Sequence, residues 1–460
     1  MPNISKVFNV RRVNIKQRLE DQFDQFVREL EDIIRIPSVS SASFDQSEVE
    51  RCAKHVASRF ESLGLEAQIL RAPRPDGTDG APAVVAKTPR IEGAPTVLLY
   101  AHHDVQPGGD PDKWTGSPFE PQIRDGRLYG RGSSDDGAGI VVHLGSLSLL
   151  SDQLPVNVTV YIEGEEEVGS PSFENFLTKY HKQLEADYII VTDSDNWKPG
   201  KPALTSSLRG VIDATVTVRM TDHAMHSGMW GGPVLDSITA ASHLISTFHN
   251  DAGEVAIAGL GGSKSADVVY DEAEFRAEAG LLEGVRIAGS GDLASRMWTQ
   301  PAVSIIGLDA TSVAHSSNTI WPETKFKVSV RTVPGTDGRE AMAALERHIM
   351  ENRPFGAVVE FEAGEIGPGY QADLESGAAK IAHEALSQAW GVPSVNIGVG
   401  GSIPFISTFQ EQFPGAQVIV TGVEDPLTNA HSENESQDLN DLKNAILAEA
   451  LMLQKFAEKA

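Results

Sequence analysis

Histidines and carboxylates in this chain gather just after apolar runs. VLLYA (97–101) leads into His102, His103 and Asp104, and VNVTVYI (156–162) into EGEEEVGS (163–170). DYIIV (187–191) leads into TDSD (192–195), and AQVIV (416–420) into TGVEDPLTNAHSENE, which carries His431. A fifth stretch, LYGRGSSDDGAG (128–139), sets Asp135 and Asp136 before a helical segment. Each cluster alone suits a helix cap or a solvated loop, and Asp136 before GAG is a good N-cap. Together, with no lysine among them, they would repel strongly unless a cation sits between them. Two histidines, three or more carboxylates and no thiolate suit two divalent cations sharing one carboxylate and one water. A further, uncoordinated carboxylate is then needed as general base and general acid. The residue types point to a binuclear metallohydrolase.

These clusters need elements to aim them. Short apolar strands alternate with helical stretches at 138–150 and 172–184, which predicts a mixed or parallel sheet flanked by helices. Ligands of such sheets bind outside the carboxyl ends of the strands, where the clusters lie. Side-chain alternation puts His102 and Asp104 on one side, where Asp104 can orient the imidazole, and turns His103 away. Helices are expected at 15–36, ended by Pro37, and from about Glu48 to Leu63, with Gly64 as C-cap. From Val211 the pattern changes to half-exposed strands, VIDATVTVRM (211–220) and TKFKVSVRTV (324–333), with helical stretches at 234–250 and 338–353. The α/β pattern resumes near Tyr370, with helices at 374–389 and 438–459. The expected fold is α/β: a discontinuous catalytic domain, residues 1–209 and 367–460, with an inserted α+β lid or dimerisation domain at 210–366.

Bulk properties narrow the partners. At 460 residues the chain is too long for one ordinary core. A net charge of −26 argues against nucleic acid and anionic membranes, both of which need a basic footprint. No apolar run is long enough to span a bilayer, and the N-terminal segment has no apolar core of a secretory signal, so a cytoplasmic protein is expected. The one cysteine, Cys52, falls on an apolar helical stripe and reads as a core residue. His143, His243, His249, His348 and His383 fall in helical stretches and read as surface or packing residues.

The motifs YAHHDVQP, LYGRGSSDDGAG, EGEEEVGS, VTDSDNW, HSGMWGG, GGSIPF and NAHSENE resemble, in order, those of the M20 metallopeptidases, closest to the carnosinase and cytosolic nonspecific dipeptidase branch. The resemblance implies two zinc or manganese ions per subunit. It implies His102 and Asp193 on one ion, Glu167 and His431 on the other, and Asp135 as the bridge. Glu166 would be the general base and Asp104 the acid that polarises His102. His226 would reach across a homodimer into the partner's site, and Asn318, Arg331 and Ser402 would grip substrate polar groups. One departure is visible: relatives often carry Lys after the Asp pair, where this chain has Gly137. The implied activity is hydrolysis of dipeptides. The competing reading on the same fold is an N-acyl-amino-acid amidohydrolase. A non-catalytic binding protein would be expected to lack Glu166 or a ligand, and none is missing.

Overall fold

The computed structural model describes residues 14–151, 153–400 and 404–459. The chain forms two compact units. One comprises Met1–Leu204, Glu375–Ser394 and Gln412–Ala460; the other comprises Thr205–Leu374 and Val395–Glu411. Their larger sheets use β1 (Glu66–Leu70), β2 (Ala83–Lys87), β3 (Thr96–His102), β4 (Asn157–Glu163), β5 (Tyr188–Val191), β6 (Gly210–Arg219), β7 (Ala302–Asp309), β8 (Glu323–Thr332), β9 (Val358–Gly367) and β10 (Gln417–Val420). The main helices are α1 (Ile15–Ile34), α2 (Gln46–Ser62), α3 (Gly137–Leu150), α4 (Ser237–Ser246), α5 (Gly338–Glu351), α6 (Gly377–Trp390) and α7 (Leu439–Lys459).

The first unit is built on a six-stranded mixed sheet of order β1-β2-β4-β3-β5-β10. β4, β3, β5 and β10 run parallel, while β1 and β2 add an antiparallel edge. β3 is buried along nearly its whole length, as an apolar run covered on both faces requires. α3 packs on β3, α6 on β10, and α7 against α3 and α6. α2 begins at Asp45, whose carboxylate accepts from Ser47 N, and ends before Gly64, whose φ of +85° makes the left-handed turn. Cys52 is fully buried on that helix. The stretch 172–184 is not one helix: it breaks at Tyr180 into Phe173–Lys179 and His181–Leu184.

The second unit carries an antiparallel sheet of order β7-β8-β6-β9. β8 alternates exposed or half-buried residues with buried ones, so Phe326, Val328 and Val330 face a core shared with Ile212, Val216, Leu244 and Leu345. α4 and α5 cover that face, and each fully buried large side chain there contributes roughly 1.5–3 kcal/mol. Arg331 lies on the opposite face, beside Val211 of β6. Among the described residues no helix is long and apolar enough to cross a membrane.

Candidate metal centre

The parallel strands deliver the acidic and histidine side chains to one edge. His102 ends β3, Glu163 ends β4, Asp193 follows β5, and the segment leading to His431 follows β10. Asp135 precedes α3, and Asp136 is that helix's N-cap, its Oδ1 accepting from Gly139 N at 3.1 Å. The second oxygen of Asp136 accepts from the backbone N of His102 at 3.2 Å, tying the helix start to the end of β3. The Asp135–Asp136 peptide is cis. A side chain at 137 has no room, because a Cβ there would stand 2.3 Å from the Gly132 carbonyl oxygen. The departure from Lys at this position is therefore built into the loop.

Asp135 sits at the middle of the site. Its Oδ1 is 3.0 Å from His102 Nε2, and its Oδ2 is 2.9 Å from His431 Nε2. Asp193 lies on the first side, 3.9 Å from His102 Nε2, and Glu167 on the second, 3.1 Å from His431 Nε2. Two potential ligand groups result, His102–Asp135–Asp193 and Asp135–Glu167–His431, with ligand atoms in each within 4.8 Å of one another. Glu166 belongs to neither.

Asp104 acts mainly through backbone amides. Its two oxygens accept from Glu166 N and Glu167 N, each at 3.1 Å. His102 Nδ1 meets the Asp104 main-chain oxygen at 2.9 Å, with the carboxylate farther away at 3.5 Å. His103 turns away, its Nε2 against the Pro82 carbonyl at 2.8 Å. Gly164 lets the chain pass there, since a Cβ would come 2.7 Å from that nitrogen.

The four acids of EGEEEV have separate surroundings. Glu165 is buried and saturated: it accepts from Arg74 Nη2 (2.7 Å), Arg74 Nε (3.0 Å), Ala81 N (3.0 Å) and Ser172 N (2.9 Å). Glu163 accepts from the Tyr100 hydroxyl at 2.7 Å, and its other oxygen has no partner among the described residues. Burial, with Asp104 nearby, pushes its carboxyl up to about 8. Between its ordinary 4.5 and about 8, the folded protein holds a proton that the unfolded chain has released. Stability therefore falls as pH rises through that window. Metal-free Glu163→Gln is expected to exceed the wild type in stability by ~1 kcal/mol or more at pH 8.5, and not at pH 4.5. Urea denaturation at both pH values checks it; an equal difference at both would refute the assignment.

The donor set suits divalent cations. Burial, followed by repulsion from Asp135, pushes Glu167 up to about 7. Burial also takes Asp193 up to about 6, and Glu166 rises well above its usual range through burial and the acids beside it. Burial alone would lower His102, yet its bonds to Asp104 and Asp135 hold it well above its usual value. Hydrogen bonds to Asp135 and Glu167 raise His431 to about 10. Acids this crowded resist ionising together, and cationic charge between them reverses that resistance.

The remaining candidates lie in the second unit or outside the description. His226 pairs with Thr319, beside Asn318, whose carbonyl accepts from Ser227 N at 2.9 Å, so those two candidates are neighbours. Two nearby histidines with no assigned role, His223 and His315, have local partners: His223 is exposed and pairs with Asp222, and His315 Nδ1 meets Ser312 Oγ at 2.9 Å. Ser402 lies outside the described residues. His143 is fully buried within α3, its Nδ1 2.8 Å from Glu449 of α7 and its Nε2 3.1 Å from the Tyr100 carbonyl. It is a packing residue in a polar network, not a surface one. Sequence reasoning misses Gln106, whose backbone N and side-chain Nε2 hold the two oxygens of Glu167 at 3.0 and 2.9 Å. Its position two residues after Asp104 is the only signal.

Peptidase family M20/M25/M40 matches residues 98–455. The chain is 31% identical to the cysteinylglycine-S-conjugate dipeptidase of Corynebacterium striatum over 442 residues, 95% of this chain and 96% of that one. It is 26% identical to the Beta-Ala-His dipeptidase of Homo sapiens, over 90% of this chain and 86% of the relative. The crystal structure of human carnosine dipeptidase 1 shares the fold, with a TM-score of 0.74 at 23% identity, covering 96% of this chain and 98% of that chain. A match across most of the sequence, together with a relative of comparable length, identifies the chain as an enzyme that belongs to peptidase family M20/M25/M40.

Proposed function

We propose that the enzyme is a dipeptidase that works with two divalent cations, zinc or manganese, and with Glu166 as general base. The observation that carries this reading is the shared carboxylate: Asp135 meets His102 with one oxygen and His431 with the other. His102, Asp193 and Asp135 would hold one cation; Glu167, His431 and Asp135 would hold the other. Cations held by these residues would supply Lewis-acid polarisation of a scissile carbonyl and a more acidic water.

The chain's own residues do the rest. Glu166 takes the proton of the attacking water and later delivers it to the leaving amine. The burial and neighbouring charge that raise its carboxyl make it a competent proton acceptor. Asp104 fixes the Glu166–Glu167 backbone, so the base and its neighbouring ligand keep their separate positions. In this reading Arg331 takes the C-terminal carboxylate of the substrate, a planar acid that suits a guanidinium fork. Asn318 and Ser402 hold other polar groups. The second unit serves as lid and dimerisation domain, and His226 stabilises the oxyanion in the partner protomer's site. A cytoplasmic location completes the reading; a single, buried cysteine fits a reducing compartment.

The test compares dipeptides with their N-acetyl forms, with zinc and with manganese. The name of the Corynebacterium relative makes Cys-Gly and its S-conjugates the first dipeptides to include. A free amine should be preferred by at least ~10-fold in kcat/KM. Preference for the acylated forms would replace this reading with an N-acyl-amino-acid amidohydrolase. No hydrolysis of either would remove it.

A further inference from the structure

We infer that Glu435, which belongs to neither ligand group, is the positioning residue that locks two ligand loops together, and that the Asp135–Glu167–His431 cation depends on it more than the other does. The inference rests on the two-cation reading above.

Glu435 is fully buried. Its Oε1 accepts from Ser134 N at 3.0 Å and from the backbone N of Asp135 at 3.1 Å. Its Oε2 accepts from Gly132 N at 3.1 Å and from Arg131 Nη1 at 2.6 Å. One carboxylate thus satisfies three amides of the turn that presents Asp135, groups that would otherwise be buried without partners. The Glu435 main-chain oxygen takes a further amide from that turn, Gly130 N, at 3.0 Å.

The same residue fixes the other loop. Glu435 lies four positions after His431, and its partner Arg131 spans the gap. Arg131 Nη2 donates to the Ser432 carbonyl, next to His431, and to the Pro107 carbonyl, each at 3.1 Å. Asn434 anchors the loop farther out, accepting from Thr115 N and donating to the Lys113 carbonyl, each at 2.8 Å. Asn429, His431 and Asn434 have φ of 56°, 61° and 61°. Such angles are uncommon for residues with side chains, so surrounding contacts must impose this loop's shape.

The two ligand groups therefore differ in support. His102 and Asp193 sit at or just beyond the ends of β3 and β5, adjacent parallel strands that do not involve Glu435. Releasing Glu435 frees Asp135, which both groups share, but it frees a second ligand, His431, only in the other group.

The test is titration of metal-free protein with Co²⁺, followed by calorimetry and by visible absorption. The wild type should bind two ions. Glu435→Gln keeps the shape but presents an NH₂ to Arg131 or to the backbone amides. It should leave one ion within ~3-fold of wild-type affinity and weaken the other by at least ~10-fold, with an altered band for the second equivalent only. Arg131→Lys keeps the charge but cannot span both loops, and should weaken the same ion less. Equal weakening of both ions, or none, overturns the inference. Should Glu435→Gln fail to fold, as read by circular dichroism, Arg131→Lys decides by the same asymmetry. A wild type that binds fewer than two ions overturns the two-cation reading and the inference with it; symmetrical loss in the variants overturns the inference alone.

Discussion

Glu166→Gln is expected to lower kcat by about 10²–10⁴-fold while both cations remain bound. The expectation follows from where Glu166 stands. It begins the short turn Glu166–Val168, directly beside Glu167, and its backbone is pinned by Asp104. It lies outside both ligand groups, so losing its charge removes no ligand. The amide keeps the side chain's shape and cannot accept the proton of the attacking water. The loss corresponds to ~3–5 kcal/mol of transition-state stabilisation. Steady-state kinetics and metal analysis of the same preparation check it. Retained turnover would remove Glu166 as the base. Turnover lost together with an ion would make it a ligand instead.

Asp135→Ala should cost metal as well as activity, because it removes a ligand from both groups at once. Its carboxylate is the one side chain common to them, and it joins imidazoles that arise from distant parts of the chain. Without it, His102–Asp193 and Glu167–His431 each retain two side chains, too few for a firm site when structural and catalytic sites use three or four. Activity should fall by more than ~10³-fold, since the polarisation that cations supply is worth several kcal/mol. Both ions should be lost on dialysis. Alanine at Asp193 should instead weaken mainly the His102 side. Metal content after dialysis, measured for both variants, separates the two outcomes. An Asp135→Ala enzyme that keeps two ions would show that Asp135 does not bridge.

Much of the site is legible in the sequence because its residues follow short apolar strands. Four such strands point the same way, so His102, the Glu163–Glu167 cluster, Asp193 and the His431 segment converge without any long-range contact being known. Asp136 reads as a helix cap from its position before Gly137 and Ala138, and it is one. Other features leave no local trace. β1 is largely exposed or half-buried, so it lacks the apolar signature of its neighbours. α3 is buried nearly all round and has no polar face to set His143 apart, and Glu449 is 306 positions away. Glu163 and Glu165 look alike in the sequence, yet Glu165 accepts from two guanidinium nitrogens of Arg74 and from two backbone amides, while Glu163 keeps an oxygen without a partner among the described residues. Glu435 reads as one more acid in HSENE until its carboxylate is seen to accept from residues about 300 positions earlier.

The most direct measurement is anomalous diffraction from crystals grown with manganese or zinc, recorded on either side of the metal edge. Two peaks are expected in each chain, one on His102 and Asp193, the other on Glu167 and His431, both touching Asp135, with neither on Glu166. A single peak, or ions held by other residues, would contradict a two-cation site.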